Sequence, residues 1–345
     1  MESLYSSFFI GCEAKHNLAL GVKLAIVVML LPLVVRAEWM GDARPMMGTE
    51  VSVYLWSDNS VAGLVALESV FQEADRIDRL MSTYKYDSEI SKINREAGGS
   101  AVVVGEELYR LISRSLEISA LTDGAFDISY ESVGQHYDFR ERQRPDDATV
   151  KSELEKIDFR YIQLDESTLS VRFAREGVRI NLGGIAKGYV VERAISILRV
   201  KGIENAIVTA GGDSRLLGDR RGRPWMVGIR DPREGGEVAM SVPLQDEAIS
   251  TSGDYERFFD EDGVRYHHII HPGSGTPAGG VHSATVFGPD AVTTDALSTS
   301  VFVMGVDKGL KMIASMPEYE GIVIDAEGRV FFSDGLSQPD RLLED

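Results

Sequence analysis

Strand-like and helical periodicities are interleaved along this chain without strict alternation, which argues against the repeating strand–helix–strand pattern of a doubly wound parallel sheet. Residues 50–56 alternate like a strand, whereas Leu64, Leu67, Phe71, Ala74, Ile77 and Met81 recur at helical spacing. A second helix is predicted over 106–121, with Glu106 and Glu107 at the favourable end of its dipole and Gly124 beyond its end. Strand-like segments follow at 169–173, 178–182 and 206–210, with a helix over 189–200 that carries Val190, Ala194, Ile197 and Leu198 on one face. Later strands are predicted at 225–229, 266–270, 284–287 and 321–324. The expected class is α+β, with mixed sheets and packed helices. The polar stretch 137–155, containing Pro145, Asp146 and Asp147, reads as a surface insertion, and a subdomain boundary is expected near it.

With 345 residues, 43% hydrophobic and 26% charged, the chain can build one large domain or two intimate ones. A formal net charge of -18 repels phosphate backbones and anionic lipid headgroups, so nucleic acid is not an expected partner. An anionic small ligand is still compatible, because backbone N–H groups and one divalent cation can reverse the sign inside a cleft.

Residues 22–35 read VKLAIVVMLLPLVV, with Lys15 and Lys23 at the front and Arg36 and Ala37 behind. This is a signal-peptide pattern over 1–37, with cleavage expected after Ala37 and a mature domain over 38–345. The run is shorter than the roughly 20 residues that span a bilayer, and Pro32 interrupts it. The stretch 1–21 is long for a leader's start and contains Phe8, Phe9 and Ile10, so the true start is expected near Val22. Cys12, the single cysteine, lies upstream of the apolar run and cannot be a lipid-acceptor cysteine there. The mature chain would hold no disulfide, thiolate zinc site or cysteine nucleophile. An exported, periplasmic location is expected, at the inner membrane if the leader is retained.

Four segments carry chemical potential. The segment 181–188 (NLGGIAKG) joins a strand to a helix and can hold phosphate on backbone N–H groups, or be a structural tight turn. It is neither a Walker loop nor GxGxxG. A second glycine turn, 210–213 (AGGD), has the same two readings. In 294–299 (TDALST), Asp295 and Thr299 lie one helical turn apart with Ser298 beside them, a hard oxygen set suited to magnesium. The alternative is that Thr294 or Asp295 merely caps the helix. In 266–272 (YHHIIHP), strand alternation would put His267 and His271 on one face and His268 with Ile270 on the other, so the three imidazoles do not converge on zinc. A single imidazole could act as a general base, or be a partly exposed strand residue.

These segments occur together with Met47-Gly-Thr49, Met81-Ser-Thr-Tyr84, Asp87-Ser-Glu-Ile-Ser91, Gly124-Ala-Phe-Asp127 and Ser250-Thr-Ser-Gly-Asp-Tyr255, in an order that resembles the ApbE family of FAD:protein FMN transferases from about Met46 to Phe332. The resemblance implies an ApbE-like, T-fold-like architecture in two intimate subdomains. It implies cleavage of FAD, release of AMP and attachment of FMN by a phosphoester to Thr or Ser of an acceptor flavoprotein, such as a redox-complex subunit. FAD contacts would come from Met47, Tyr84, Ala125, Phe126, Asp127, Asn181, Lys187, Ile270 and Ser298. Magnesium, with manganese as a substitute, would sit on Asp295, Thr299 and the Gly184 carbonyl. His268 would lie near the reacting phosphate, with His268 or Asp295 taking the acceptor proton. Membrane contact would come only through the leader or the acceptor.

Two positions depart from the family pattern: His271 stands where Asp is usual, and Asn181 opens the glycine loop where an acidic residue is usual. Tuned affinity or pH dependence is the expected consequence. The rival readings are an FAD pyrophosphatase that releases free FMN, and a non-enzymatic periplasmic flavin-binding protein, against which the Asp295 and Thr299 pair counts.

Overall fold

A computed structural model describes residues 37–232 and 238–336; the leader, the alternative start and Cys12 lie outside the described residues. Eight strands form the main sheet, and their order across it is their order in the chain: Glu38–Met46, Thr49–Ser57, Ala206–Ala210, Asp213–Leu217, Ala248–Gly253, Val281–Gly288, Glu320–Asp325 and Val330–Phe332. Every neighbouring pair is antiparallel. The meander is interrupted by long excursions, and these carry the helices. The α+β expectation holds.

The first excursion, between Ser57 and Ala206, holds helices Ser60–Met81, Glu89–Glu96, Glu106–Leu121 and Ala186–Val200 and a small sheet of Val102–Val103, Ser170–Phe173 and Ile162–Asp165. Helix Ser60–Met81 starts where the Asn59 side chain accepts the Ala62 N–H, and it buries Leu67, Phe71, Ala74, Ile77 and Met81. Leu64, expected on that face, is 59% exposed: the buried face runs through Gly63, Ala66, Leu67 and Val70, and at about 100° per residue position 64 falls at its edge. With helix Ala186–Val200, it covers Val51, Val53, Val208 and Ala210 of the sheet. The opposite face of the sheet is closed by the ribbon of Trp225–Arg230 and Val238–Leu244, through Trp225 against Leu216, Ile249 and Phe287.

Two predicted strands are corrected. Residues 178–182 alternate in burial but pair with no strand; the Asn94 side chain takes both main-chain groups of Ile180, at 2.7 and 2.8 Å, and Asn181 N–H donates to Ile128. A side-chain amide replaces the ladder. The predicted strand 266–270 is split into Val264–His267 and Ile270–His271, with the break at His268. There the His268 N–H turns to the Arg257 carbonyl. The insertion 137–155 contains the exposed helix Asp147–Leu154, which buries no residue. The described residues form one compact unit. Among the described residues, no helix is long and apolar enough to cross a membrane.

Candidate active site

Helix Ala291–Met304 is buried on nearly every side, so each polar group on it must find an internal partner. Asp290 caps it, accepting the Thr293 N–H at 2.8 Å, so neither Thr294 nor Asp295 is the cap. Asp295 therefore sits inside the helix, 1% exposed, with its carboxylate available for other partners. Thr294 meets Ser250 at 2.9 Å, and Ser252 meets both Ser298 (2.9 Å) and Thr299 (3.1 Å).

The glycine turn comes to this helix directly. Gly188 N–H donates to Asp295 Oδ2 at 2.9 Å, and Lys187 Nζ lies 3.2 Å from Oδ1 of the same carboxylate. A Cβ on Gly184 would sit 3.4 Å from Thr299 Oγ1 and 3.1 Å from the Phe126 ring. Lys187 also pairs with Asp213 at 2.6 Å, an ion pair without hydrogen-bond alignment. Burial works against the Lys187 charge, yet Asp213 and Asp295 outweigh it and raise its pKa. Burial, reinforced by Asp295 and opposed by Lys187, pushes Asp213 up to about 7. Two buried carboxylates thus share one ammonium. The surplus negative charge, with a hydroxyl and a glycine turn alongside, is a donor set that fits a hard divalent cation.

The three neighbouring histidines have separate environments. His267 is buried, its Nε2 2.8 Å from the Ala278 carbonyl and its ring edge-on to Phe302. His271 is exposed and accepts the Gly273 N–H in its own turn. His268 has a buried Nδ1 with no hydrogen-bond partner among the described residues. Burial, with the charges of Arg257 and Lys187, lowers its pKa to about 3, so the ring is a neutral imidazole at ordinary pH. The expectation of separation holds, but the broken strand, not alternation, produces it.

The other expected residues divide. Phe126, Ile270 and Ser298 are buried, and Ala125 packs beside the core of helix Ala291–Met304. Asp127 spends its carboxylate on Ser129 and on the Phe159 N–H, so its side chain is a structural pin. Tyr84 is 86% exposed. Met47 is at the tip of the first hairpin with φ 54°, followed by Gly48 at 71°, a left-handed pair that a Met rarely joins. It borders a cavity of about 550 Å³ with Met46, Thr49 and Asp78. A larger cleft of about 650 Å³ lies elsewhere, by Arg76, Arg110, Arg114 and Tyr189; it contains none of the expected site residues, and its arginines are paired with Glu73, Glu106, Glu107 and Glu117.

Several groups were not singled out from sequence. Asp213 and Ser252 lay within noted motifs, but their contacts with Lys187 and Thr299 come only from the fold. Arg257, which donates to the Gly48 carbonyl at 3.0 Å, carried no sequence signal of its own. Glu131, whose Oε2 accepts from Asn181 at 3.0 Å, also carried none.

The ApbE family profile matches residues 47–323. The FAD:protein FMN transferase of Treponema pallidum is 33% identical, over 88% of this chain and 89% of its own length. That of Klebsiella pneumoniae is 30% identical, over 86% and 91%. The crystal structure of the ApbE protein from Thermotoga maritima superposes with a TM-score of 0.82 at 33% identity, covering 89% of this chain and all of that one. The flavin transferase ApbE from Vibrio cholerae gives 0.75 at 27%, covering 86% and 98%.

Proposed function

The chain belongs to the ApbE family, and from that premise we propose that it is an FAD:protein FMN transferase, moving FMN from FAD to a Thr or Ser hydroxyl of an acceptor protein and releasing AMP. The observation that carries this reading is the Gly188 to Asp295 contact, which joins the glycine turn to the oxygen-bearing helix across more than a hundred residues of chain.

In this mechanism the pyrophosphate would lie against the turn 181–188, at a helix N-terminus that favours negative charge; the Gly183 and Gly188 N–H groups are already taken by Asn181 and Asp295 and shape the turn instead. Asp295, Thr299 and the Gly184 carbonyl would hold magnesium. Bound there, magnesium would supply charge neutralisation at the pyrophosphate and at the departing AMP. Lys187 keeps Asp213 and Asp295 together and orients the carboxylate. The acceptor oxygen attacks the phosphorus on the FMN side; one P–O bond forms as the bond to the AMP phosphate breaks. His268 or Asp295 would take the acceptor's proton; for His268, the negative charge of the bound pyrophosphate would raise the proton affinity of the buried imidazole.

The protein is further proposed to act after export, on the strength of the apolar run at 22–35. Its acceptor would be another exported or membrane flavoprotein. The test is to incubate FAD and magnesium with the protein, with and without an acceptor carrying a Thr- or Ser-containing motif, and to measure AMP, free FMN and covalent flavin. Transfer predicts AMP and covalent flavin in equal amounts that depend on the acceptor. Free FMN formed equally without acceptor would show a pyrophosphatase, and no AMP at all a binding protein.

A further inference from the structure

We infer that Glu131 is a positioning residue for the glycine turn, its carboxylate fixing the orientation of the Asn181 side-chain amide and, through it, the Gly183 N–H. The inference rests on the function proposed above, in which this turn receives the pyrophosphate.

A side-chain amide has donors on one arm and an acceptor on the other, and its two orientations have nearly the same shape. Here Asn181 Nδ2 donates to Glu131 Oε2 at 3.0 Å and approaches Thr83 Oγ1 at 3.4 Å, while Oδ1 accepts the Gly183 N–H at 2.8 Å. The Thr83 hydroxyl can donate or accept, so it does not choose between orientations. An ionised carboxylate only accepts. With the amide reversed, oxygen would face oxygen at Glu131, and an NH₂ group would face the N–H of Gly183. Glu131 is the side chain that makes the choice, together with the Gly183 N–H, which only donates.

The surroundings leave little else to do so. Ile180 and Asn181 are pinned through their main chain by Asn94 and Ile128, upstream of the turn. A Cβ on Gly183 would lie 3.1 Å from Asn181 Oδ1 and 3.5 Å from the Tyr130 hydroxyl, so the turn rests closely on this amide. Glu131 itself is only 8% exposed. Burial pushes its carboxyl up to about 7 against the pull of Asn181 and Arg179, so the acceptor-only carboxylate that selects the amide's orientation prevails above that pH.

The test compares N181D, E131A and the double variant N181D/E131Q with the parent, by FAD binding followed through flavin fluorescence and by steady-state transfer. N181D sets two carboxyl groups 3.0 Å apart where a donor met an acceptor, forcing repulsion or the uptake of a proton by Glu131, and should weaken FAD binding roughly tenfold, raising KM more than it lowers kcat. E131A, which leaves the amide held by the Gly183 N–H alone, should weaken binding by a similar factor. In N181D/E131Q the new Gln donates to the new Asp, and binding should return to within about threefold of the parent. A double variant as weak as N181D alone, or E131A binding like the parent, overturns the inference. Should E131A fail to fold, the comparison of N181D with the double variant decides. A parent that binds no FAD would instead refute the function on which the inference rests.

Discussion

The backbone N–H of Gly188 donates to the Asp295 carboxylate with no side chain between the two helices that carry them. A Cβ at position 188 would lie 2.8 Å from the Asp295 Cβ and would collide with the Ala291 carbonyl oxygen. Only glycine permits this approach. Gly188→Ala should therefore destabilise the protein by about 1–3 kcal/mol, the usual cost of overpacking a tight contact, as read from urea unfolding. Transfer should fall further than stability, because Asp295 is displaced from Thr299's neighbourhood. A variant with parental turnover would show that the contact does not set the site.

Asp213 shares Lys187 with Asp295. Removing it by Asp213→Ala leaves the ammonium with a single carboxylate and draws Lys187 fully onto Asp295. The expected cost is about 3 kcal/mol, the lower end for breaking a buried pair, since one partner remains. Magnesium titrated against transfer activity should show a weaker apparent affinity. Parental magnesium dependence would count against a link between Asp213 and the metal-binding carboxylate.

His268 is expected to act as the base, and its two neighbours to be structural or neutral. His268→Ala should lower transfer by roughly 10²- to 10⁴-fold with FAD binding little changed. His267→Ala should cost stability instead, since its ring bonds Ala278 and packs on Phe302. His271→Ala should do least. An unchanged single-turnover rate in His268→Ala would move the assignment to Asp295.

The depressed pKa of His268 has its own pH signature. Between about 3 in the folded protein and the ordinary value of 6.5, the unfolded chain binds a proton that the folded chain does not. Stability from this residue is complete above 6.5 and declines as pH falls through that window. His268→Ala should flatten the acid side of the unfolding free energy between pH 6.5 and 4. It follows too that kcat/KM in the parent should show no limb near neutrality from this group. An acid limb at pH 6 to 7 that vanishes in the variant would contradict the buried, neutral imidazole.

Chelation should abolish transfer, and magnesium or manganese should restore it, because the proposed donors are all oxygens. Asp295→Ala should abolish transfer while weakening FAD binding less. Full activity after exhaustive chelation would exclude the metal.

Legibility from sequence followed the range of the interactions. Asp295 and Thr299 could be paired from helical spacing alone, and the apolar faces at 64–81, 106–121 and 189–200 located the helices Ser60–Met81, Glu106–Leu121 and Ala186–Val200. Residues 178–182 misled because their alternating burial is real, whereas the partner that satisfies their backbone is the side chain of Asn94, far away in sequence. The strand Glu38–Met46 was not foreseen, since Gly41, Asp42 and Pro45 argue against a strand; it is an edge strand, where a proline costs no ladder bond. The partnership of Lys187 with Asp213 and the role of Glu131 depend on which turns the fold sets side by side. Periodicity does not carry that information.

The order of the main sheet also sets a timetable for the growing chain. The hairpin of Glu38–Met46 and Thr49–Ser57 can close locally, but the next strand to dock on it, Ala206–Ala210, follows about 150 residues later. At roughly 5–20 residues per second of synthesis, that leaves a bare strand edge waiting for about 8–30 s. During this interval Val51, Val53 and Leu55 offer neighbouring chains a template. The nascent protein is most vulnerable to aggregation, or most in need of a chaperone, until Ala210 has emerged.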